Sequence, residues 1–390
     1  MTRVKPSPTG AVLALGAELK AAGRDIISLG TGEPDFDTPQ PIKDAAIDAI
    51  QAGATKYTPI DGTAELKAAV ARKFKRDNGL TYSPAEIVVT SGAKQALFNL
   101  CQGLLGPGDE AIIPSPYWVS YPDMVLLAGA EPVIVKAGLE ENFRITPQQL
   151  DDAITSKTRL FILNSPSNPT GASYSETELQ ALGEVLAEHD QVVIASDEIY
   201  EHINFVGGHE SIAQFEEIRD RVIIITGVSK GYAMTGWRIG YMAGPDWSVK
   251  ACGKLQGQMT SGATSIAMRA ALAALTGDQS CVTEMRDAFL RRRDLILGHV
   301  SQIEGVKCAT PGGAFYVFPD LSAYIGKSVD GRKIETDMDL CIYLLEVGHI
   351  ATVPGSAFGA DGCVRISYAN SDENLEKAMD RLKKALAALS

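Results

Sequence analysis

A chain of 390 residues, 45% hydrophobic and 22% charged, has enough apolar content to bury a large core and is expected to form two domains rather than one. A formal net charge of -12, with no basic block longer than Arg291-Arg292-Arg293, argues against a nucleic-acid partner, because binding a phosphate backbone needs a cationic face. The six cysteines (Cys101, Cys252, Cys281, Cys308, Cys341, Cys363) show no C-x-x-C spacing, the five histidines form no H-E-x-x-H pair, and no run approaches the ~20 apolar residues of a membrane span, so a zinc site, a disulfide framework, metal catalysis and a transmembrane segment are not indicated and a reducing, cytoplasmic setting is expected.

From the N-terminus, residues 1–40 offer one short helix and the loop "SLGTGEPDFDTP", too little to fold alone and expected to pack on the C-terminal domain. Residues 41–285 are expected to form the large domain. Within it, short apolar runs alternate with helical patterns: "EIVVT" (86–90), "EAIIP" (110–114), "EPVIVK" (131–136), "RLFILN" (159–164), "QVVIAS" (191–196), "RVIIIT" (221–226) and "IGYMAG" (239–244). Runs without polar alternation suit strands covered on both faces, which predicts a largely parallel sheet between two helical layers. A long charged amphipathic helix over 278–300 follows, with the arginine triplet, beside Asp287 and Asp294, on its solvated face. Residues 286–390, with "GAFYVFPDL", "IATVPGSAF", "CVRISYA" and a last helix "DENLEKAMDRLKKALAAL", are expected to form a smaller α+β domain.

Ligands of open α/β sheets bind beyond the carboxyl ends of the strands, so the residues at those ends belong to one constellation. After 86–90, Ser91, Gly92 and Ala93 open a helix whose N–H groups suit a phosphate, although any tight turn looks similar. After 110–114, Trp118 sits in a proline-bounded loop, free to stack on a flat ring or to pack into the core. Asn168 follows 159–164, and Asp197 and Tyr200 follow 191–196. Beyond 221–226 comes Lys230, flanked by glycines and small residues with little packing to do, and then Arg238. The stretch Gly227-Val228-Ser229-Lys230-Gly231 also satisfies the G-x-S-x-G pattern of a serine nucleophile elbow, with His299 or His349 as the histidine of a triad. A lysine, carboxylate, phenol, amide, aromatic plane, phosphate cradle and arginine together match pyridoxal 5'-phosphate, the lysine bonding its aldehyde and the carboxylate keeping its ring nitrogen protonated.

Three stretches, "NSPSNPTG", "SDEIYEH" and "SKGYAMTGWRIGY", resemble the motifs of class I aminotransferases of pyridoxal-phosphate fold type I. The stretches "GEPDFDTP", "KYTPIDG", "KQALFN", "PYWVSYP" and "VRISYA" resemble those of the bacterial aspartate aminotransferase branch, which includes bifunctional aspartate/prephenate enzymes. The resemblance runs from about Val4 to the last helix. It implies a large three-layer α/β/α domain with a mostly parallel seven-stranded sheet, and a smaller α+β domain.

For the cofactor, the resemblance implies that Lys230 holds it and shuttles a proton, that Asp197 pairs with the ring nitrogen, that Asn168 and Tyr200 bond the phenolic oxygen and that Trp118 stacks on the ring. Arg238, Ser91, Gly92, Ala93 and Ser229 would hold the phosphate together with Tyr57 of a neighbouring subunit, which implies a homodimer with shared sites. For the substrate, Arg365 and Gly32 would meet the α-carboxylate, Lys94 the distal carboxylate of aspartate, and Lys5 would serve prephenate use, with Trp118 and Asn168 alongside. The implied reaction is a ping-pong transfer from L-aspartate to 2-oxoglutarate, with prephenate as a further acceptor. Aromatic, kynurenine and alanine aminotransferases and carbon–sulfur lyases share Lys230, Asp197, Asn168, Tyr200, Arg238 and Arg365, and stand as alternatives within the fold.

Overall fold

The computed structural model describes residues 8–390. All seven apolar runs form strands of one sheet: β1 (Ile87–Thr90), β2 (Glu110–Ser115), β3 (Glu131–Lys136), β4 (Thr158–Asn164), β5 (Val193–Asp197), β6 (Val222–Gly227) and β7 (Gly240–Ala243). Their order is β1-β7-β6-β5-β4-β2-β3. Every pairing is parallel except those of β7, which runs antiparallel to both β1 and β6. The reason lies in the connection: residues 228–239 form turns and one short 3-10 turn, Thr235–Trp237, with no crossover helix to carry the chain back to the starting edge.

The lack of polar alternation has the expected cause. Successive residues of one strand enter different cores: Val222 and Ile224 pack with Ile194 and Phe161 on one face, while Ile223 and Ile225 pack with Ile162 and Met242 on the other. A sheet apolar on both faces must be covered by helices on both faces. One helix, Ala93–Leu104, approaches so closely that a side chain at Gly240 would collide with the Ala93 backbone nitrogen, so that position requires glycine.

The smaller domain is built on a three-stranded antiparallel sheet of Val353–Pro354, Val364–Ser367 and Tyr316–Val317. Helices Ser280–Val300 and Asp372–Ala387 share its core. The N-terminal part joins it there: Ile27 and Ser28 pair in parallel with Ile350 and Ala351, and Val12 of helix Pro8–Ala21 packs with Leu345 and Ala351. The arginine triplet corrects one expectation. Arg291 is exposed, but Arg292 is 8% exposed, because its Nη1 donates to Asp35 at 2.7 Å and its Nε to Asp372 at 3.0 Å. It ties the loop after Ser28 to the long helix.

Candidate active site

The carboxyl ends of β2, β4, β5 and β6 open on a cavity of about 430 Å³. Each parallel strand delivers one loop to it. The loop after β2 brings Trp118, that after β4 brings Asn168, the end of β5 brings Asp197 and then Tyr200, and the turn after β6 brings Ser229 and Lys230. From the smaller domain comes Arg365, on the strand Val364–Ser367, and from the loop between Ser28 and helix Gln40–Gln51 comes Gly32. Ala93, Lys94 and Arg238 complete the part of the wall foreseen from sequence.

Four cationic side chains, Lys94, Lys230, Arg238 and Arg365, face a single carboxylate, Asp197, across this space. In a chain of net charge -12, that local excess marks a site for anions. Arg365, 6% exposed, donates from Nη1 to Asn168 Oδ1 at 2.9 Å and from Nη2 to the Gly30 carbonyl at 2.8 Å. Its Nε is buried without a partner, and among the described residues no carboxylate neutralises it. Its guanidinium carbon lies 4.5 Å from the Tyr316 ring centroid, which fixes the plane of the fork. Lys94 Nζ stands 4.7 Å over the Trp118 ring, and burial together with Arg238 lowers its pKa.

Lys230 Nζ donates to the Gly32 carbonyl. Burial pushes its pKa down to about 8; Arg365 and Arg238 act in the same direction, while Glu33 and Asp197 oppose it. The amine is therefore available in neutral form close to neutral pH. Asp197 shows the converse. Burial raises its carboxyl to about 6, although Tyr121 Oη donates to Oδ2 at 2.6 Å and the Ile199 N–H to Oδ1 at 3.3 Å. A carboxyl this deep, with hydrogen bonds but no ion-pair partner, is arranged for a cation that the cavity would receive.

At the opposite end, helix Ala93–Leu104 starts at Gly92, whose φ of +82° needs no side chain, and no side chain caps its N–H groups. A Cβ at Gly92 would collide with the Arg238 guanidinium; the glycine lets that cation lie against the positive helix end, a combination suited to a phosphate. Ser91 and Gly92 do not line the cavity; the Ser91 N–H is taken by Gln95 Oε1 at 2.6 Å, and the Arg238 guanidinium lies against Gly92. Tyr57 is 99% exposed and does not line its own chain's cavity. Lys5 falls outside the described residues. Tyr200, expected at a cofactor oxygen, shares a hydrogen bond with Tyr316 Oη at 2.9 Å.

Several residues of the site were not foreseen. Tyr121 binds Asp197. Asn164 Nδ2 donates to the Asp197 carbonyl at 2.9 Å and its Oδ1 accepts the Asn168 N–H at 2.9 Å, so the last residue of β4 shapes the loop that carries Asn168. Phe358, Thr235 and Gly30 also line the cavity. The serine elbow fails on geometry: Ser229 lines the cavity, but no histidine does, and the turns after it open no helix, so neither His299 nor His349 can complete a triad.

A family model described as aminotransferase class I and II matches residues 24–382. The chain is 54% identical over 393 residues to an aspartate/prephenate aminotransferase of Cereibacter sphaeroides, covering 100% of this chain and 98% of that protein. The crystal structure of the aspartate aminotransferase from Rhizobium meliloti matches with a TM-score of 0.96 at 46% identity, over 99% of this chain and 98% of that one. The Thermus thermophilus aspartate aminotransferase with maleate matches at 0.92 and 44% identity, over 99% of both chains.

Proposed function

Because the chain belongs to the aminotransferases of class I and II, with their fold type I architecture, we propose that it transfers the amino group of L-aspartate to 2-oxoglutarate, using pyridoxal 5'-phosphate, and accepts prephenate as a second substrate. The observation that carries this reading is the charge arrangement of one cavity. Two cations without a carboxylate partner, Arg365 and Lys94, suit the two carboxylates of aspartate, and maleate, the ligand named with the Thermus thermophilus enzyme, is a dicarboxylate too.

The residues fit the cofactor at three points. The uncapped helix start at Ala93, with Arg238 and Ser229, would hold a phosphate; Lys230 would hold the aldehyde; Asp197 would meet the ring nitrogen. Once bound there, the cofactor supplies an acceptor for the amino group and a protonated ring that withdraws electrons from the substrate Cα. The chain supplies the rest. Arg365 grips the α-carboxylate with a planar, two-pronged donor set that a lysine lacks. Lys230, its pKa lowered by burial to about 8, takes the Cα proton in its neutral form and returns it. Trp118 and Asn168 fix the plane in which this happens, and Arg365, anchored in the smaller domain, lets substrate draw that domain over the cavity and exclude water.

The same reading makes the enzyme a homodimer. Tyr57 is 99% exposed, and Ile60 and Met259 are exposed as well; in a dimer Tyr57 would reach the partner's phosphate site. Arg238, exposed at the cavity mouth in the single chain, would be covered by the same contact. The six free cysteines support a reducing, cytoplasmic compartment. The specificity is tested by a panel of amino donors with 2-oxoglutarate and with prephenate as acceptors. Aspartate is expected to give the highest kcat/KM of the donors; a ranking led by aromatic or neutral amino acids would assign the chain to one of the alternatives.

A further inference from the structure

Tyr121 lines the cavity, and the hydrogen bond its hydroxyl makes there is to Asp197. It lies in helix Ser120–Leu127, is 2% exposed, and meets the edge of Trp118 with ring centroids 5.4 Å apart at 79°. Its hydroxyl donates to Asp197 Oδ2 at 2.6 Å, while Oδ1 receives only the longer N–H bond from Ile199, at 3.3 Å. The two carboxylate oxygens are thus unequal: one is held tightly from behind and the other is left with acceptor capacity.

We propose that Tyr121 is a positioning residue of the reaction, whose hydrogen bond to Asp197 keeps that carboxylate anionic and so keeps a shared proton on the cofactor's ring nitrogen. The proposal rests on the pyridoxal-phosphate reading above and extends it to a residue that would act through its hydrogen bond to Asp197. The physical reason is the competition for one proton. A proton between a ring nitrogen and a carboxylate sits on the more basic partner, and burial makes Asp197 more basic than an ordinary aspartate, up to about 6. Every donor to the carboxylate reverses part of that change, and in a desolvated site one short bond to a charged oxygen counts for more than it does in water. Without the phenol, the proton moves toward Asp197 and the ring loses its electron-withdrawing charge. Tyr121 is suited to the task because burial and the adjacent carboxylate raise its own pKa well above the usual value, so it remains a donor throughout the working range.

If Tyr121 were only a packing residue, its removal would alter stability and leave the proton where it was. The test is the Tyr121→Phe holoenzyme loaded with pyridoxal phosphate carrying nitrogen-15 in the ring. In the wild type the ring nitrogen is expected to show the shift of a protonated pyridinium; in Tyr121→Phe it is expected to move toward neutral pyridine and to titrate at lower pH. A kcat reduced by roughly tenfold or more with little change in KM should accompany it, because Tyr121 reaches neither carboxylate-binding cation. An unchanged nitrogen-15 shift in the folded variant overturns the proposal, whatever happens to rate. Should Tyr121→Phe not fold, 3-fluorotyrosine at position 121 keeps the ring and strengthens the donor. It is expected to hold the ring proton to higher pH, and the absence of any movement overturns the proposal equally. A wild type that binds no pyridoxal phosphate would instead remove the reading on which it rests.

Discussion

The segment Asp197–His202 presents two faces, and they treat buried charge in opposite ways. Glu198 and Glu201 point away from the cavity into a saturated network. Glu198 accepts from Ser196 Oγ at 2.8 Å, Ser211 Oγ at 2.6 Å and His209 Nε2 at 2.8 Å. Glu201 accepts from Thr226 Oγ1 at 2.8 Å, Asn78 Nδ2 at 3.0 Å and the fully buried ammonium of Lys73. On the other face, Asp197 receives hydrogen bonds but no ion pair, and across the cavity Arg365 has no carboxylate. Folding neutralises buried charge wherever the chain supplies a partner. Charges held apart under the same burial are therefore the ones reserved for a ligand, and the neighbouring network is what makes the contrast meaningful.

The saturated face should break most severely when one member is removed. Although burial alone would raise Glu201, Lys73 and nearby histidines hold its carboxyl down to about 2. Lys73→Met is expected to lose about 3–5 kcal/mol in denaturant unfolding, because Glu201 is left buried and unpaired, and Lys73→Met/Glu201→Leu should recover much of it. Wild-type stability in Lys73→Met would remove the distinction between the faces. The unsatisfied face should respond with the opposite sign. Asp197 titrates at about 6 when folded against roughly 3.9 unfolded. Below both values the residue adds nothing. Between them the folded state keeps a proton that the unfolded state releases, so stability falls as pH rises, and above about 6 the full penalty stands. Asp197→Asn in the cofactor-free protein is accordingly expected to be more stable than wild type by about 2–3 kcal/mol at pH 7–8, an advantage that disappears below pH 4. A melting comparison across that range checks it; equal or lower stability at pH 8 would mean that Asp197 is already satisfied by the chain.

The seven strands were legible because two-sided burial removes polar alternation, leaving runs such as Val222–Ile225 that no exposed strand or amphipathic helix would carry. The reversed direction of β7 was not, since nothing in "IGYMAG" records which strands it joins. Lys230 could be placed at the cavity from sequence because it follows a strand end with little packing to do, whereas Asp197 closes β5 itself and Arg238 follows the 3-10 turn just before β7. Tyr121 was hidden in an ordinary apolar helix, and its meaning depends on a carboxylate 76 residues away. Arg292 was misread for a related reason: the triplet looks solvated in sequence, but its middle member meets Asp35 across 257 residues. Contacts of that range leave no local pattern to find.

The central claim is that the Lys230 amine, its pKa lowered by burial to about 8 and set in one cavity with the uncapped helix start at Ala93 and with Asp197, is the group that carries the cofactor. It is tested most directly by saturating the purified protein with pyridoxal 5'-phosphate, reducing with borohydride, digesting, and locating the added mass by peptide mass spectrometry. Lys230 alone should carry the pyridoxyl group, in one copy per chain. Modification at Lys94 or a surface lysine in place of Lys230, or no stable modification at all, would contradict the account.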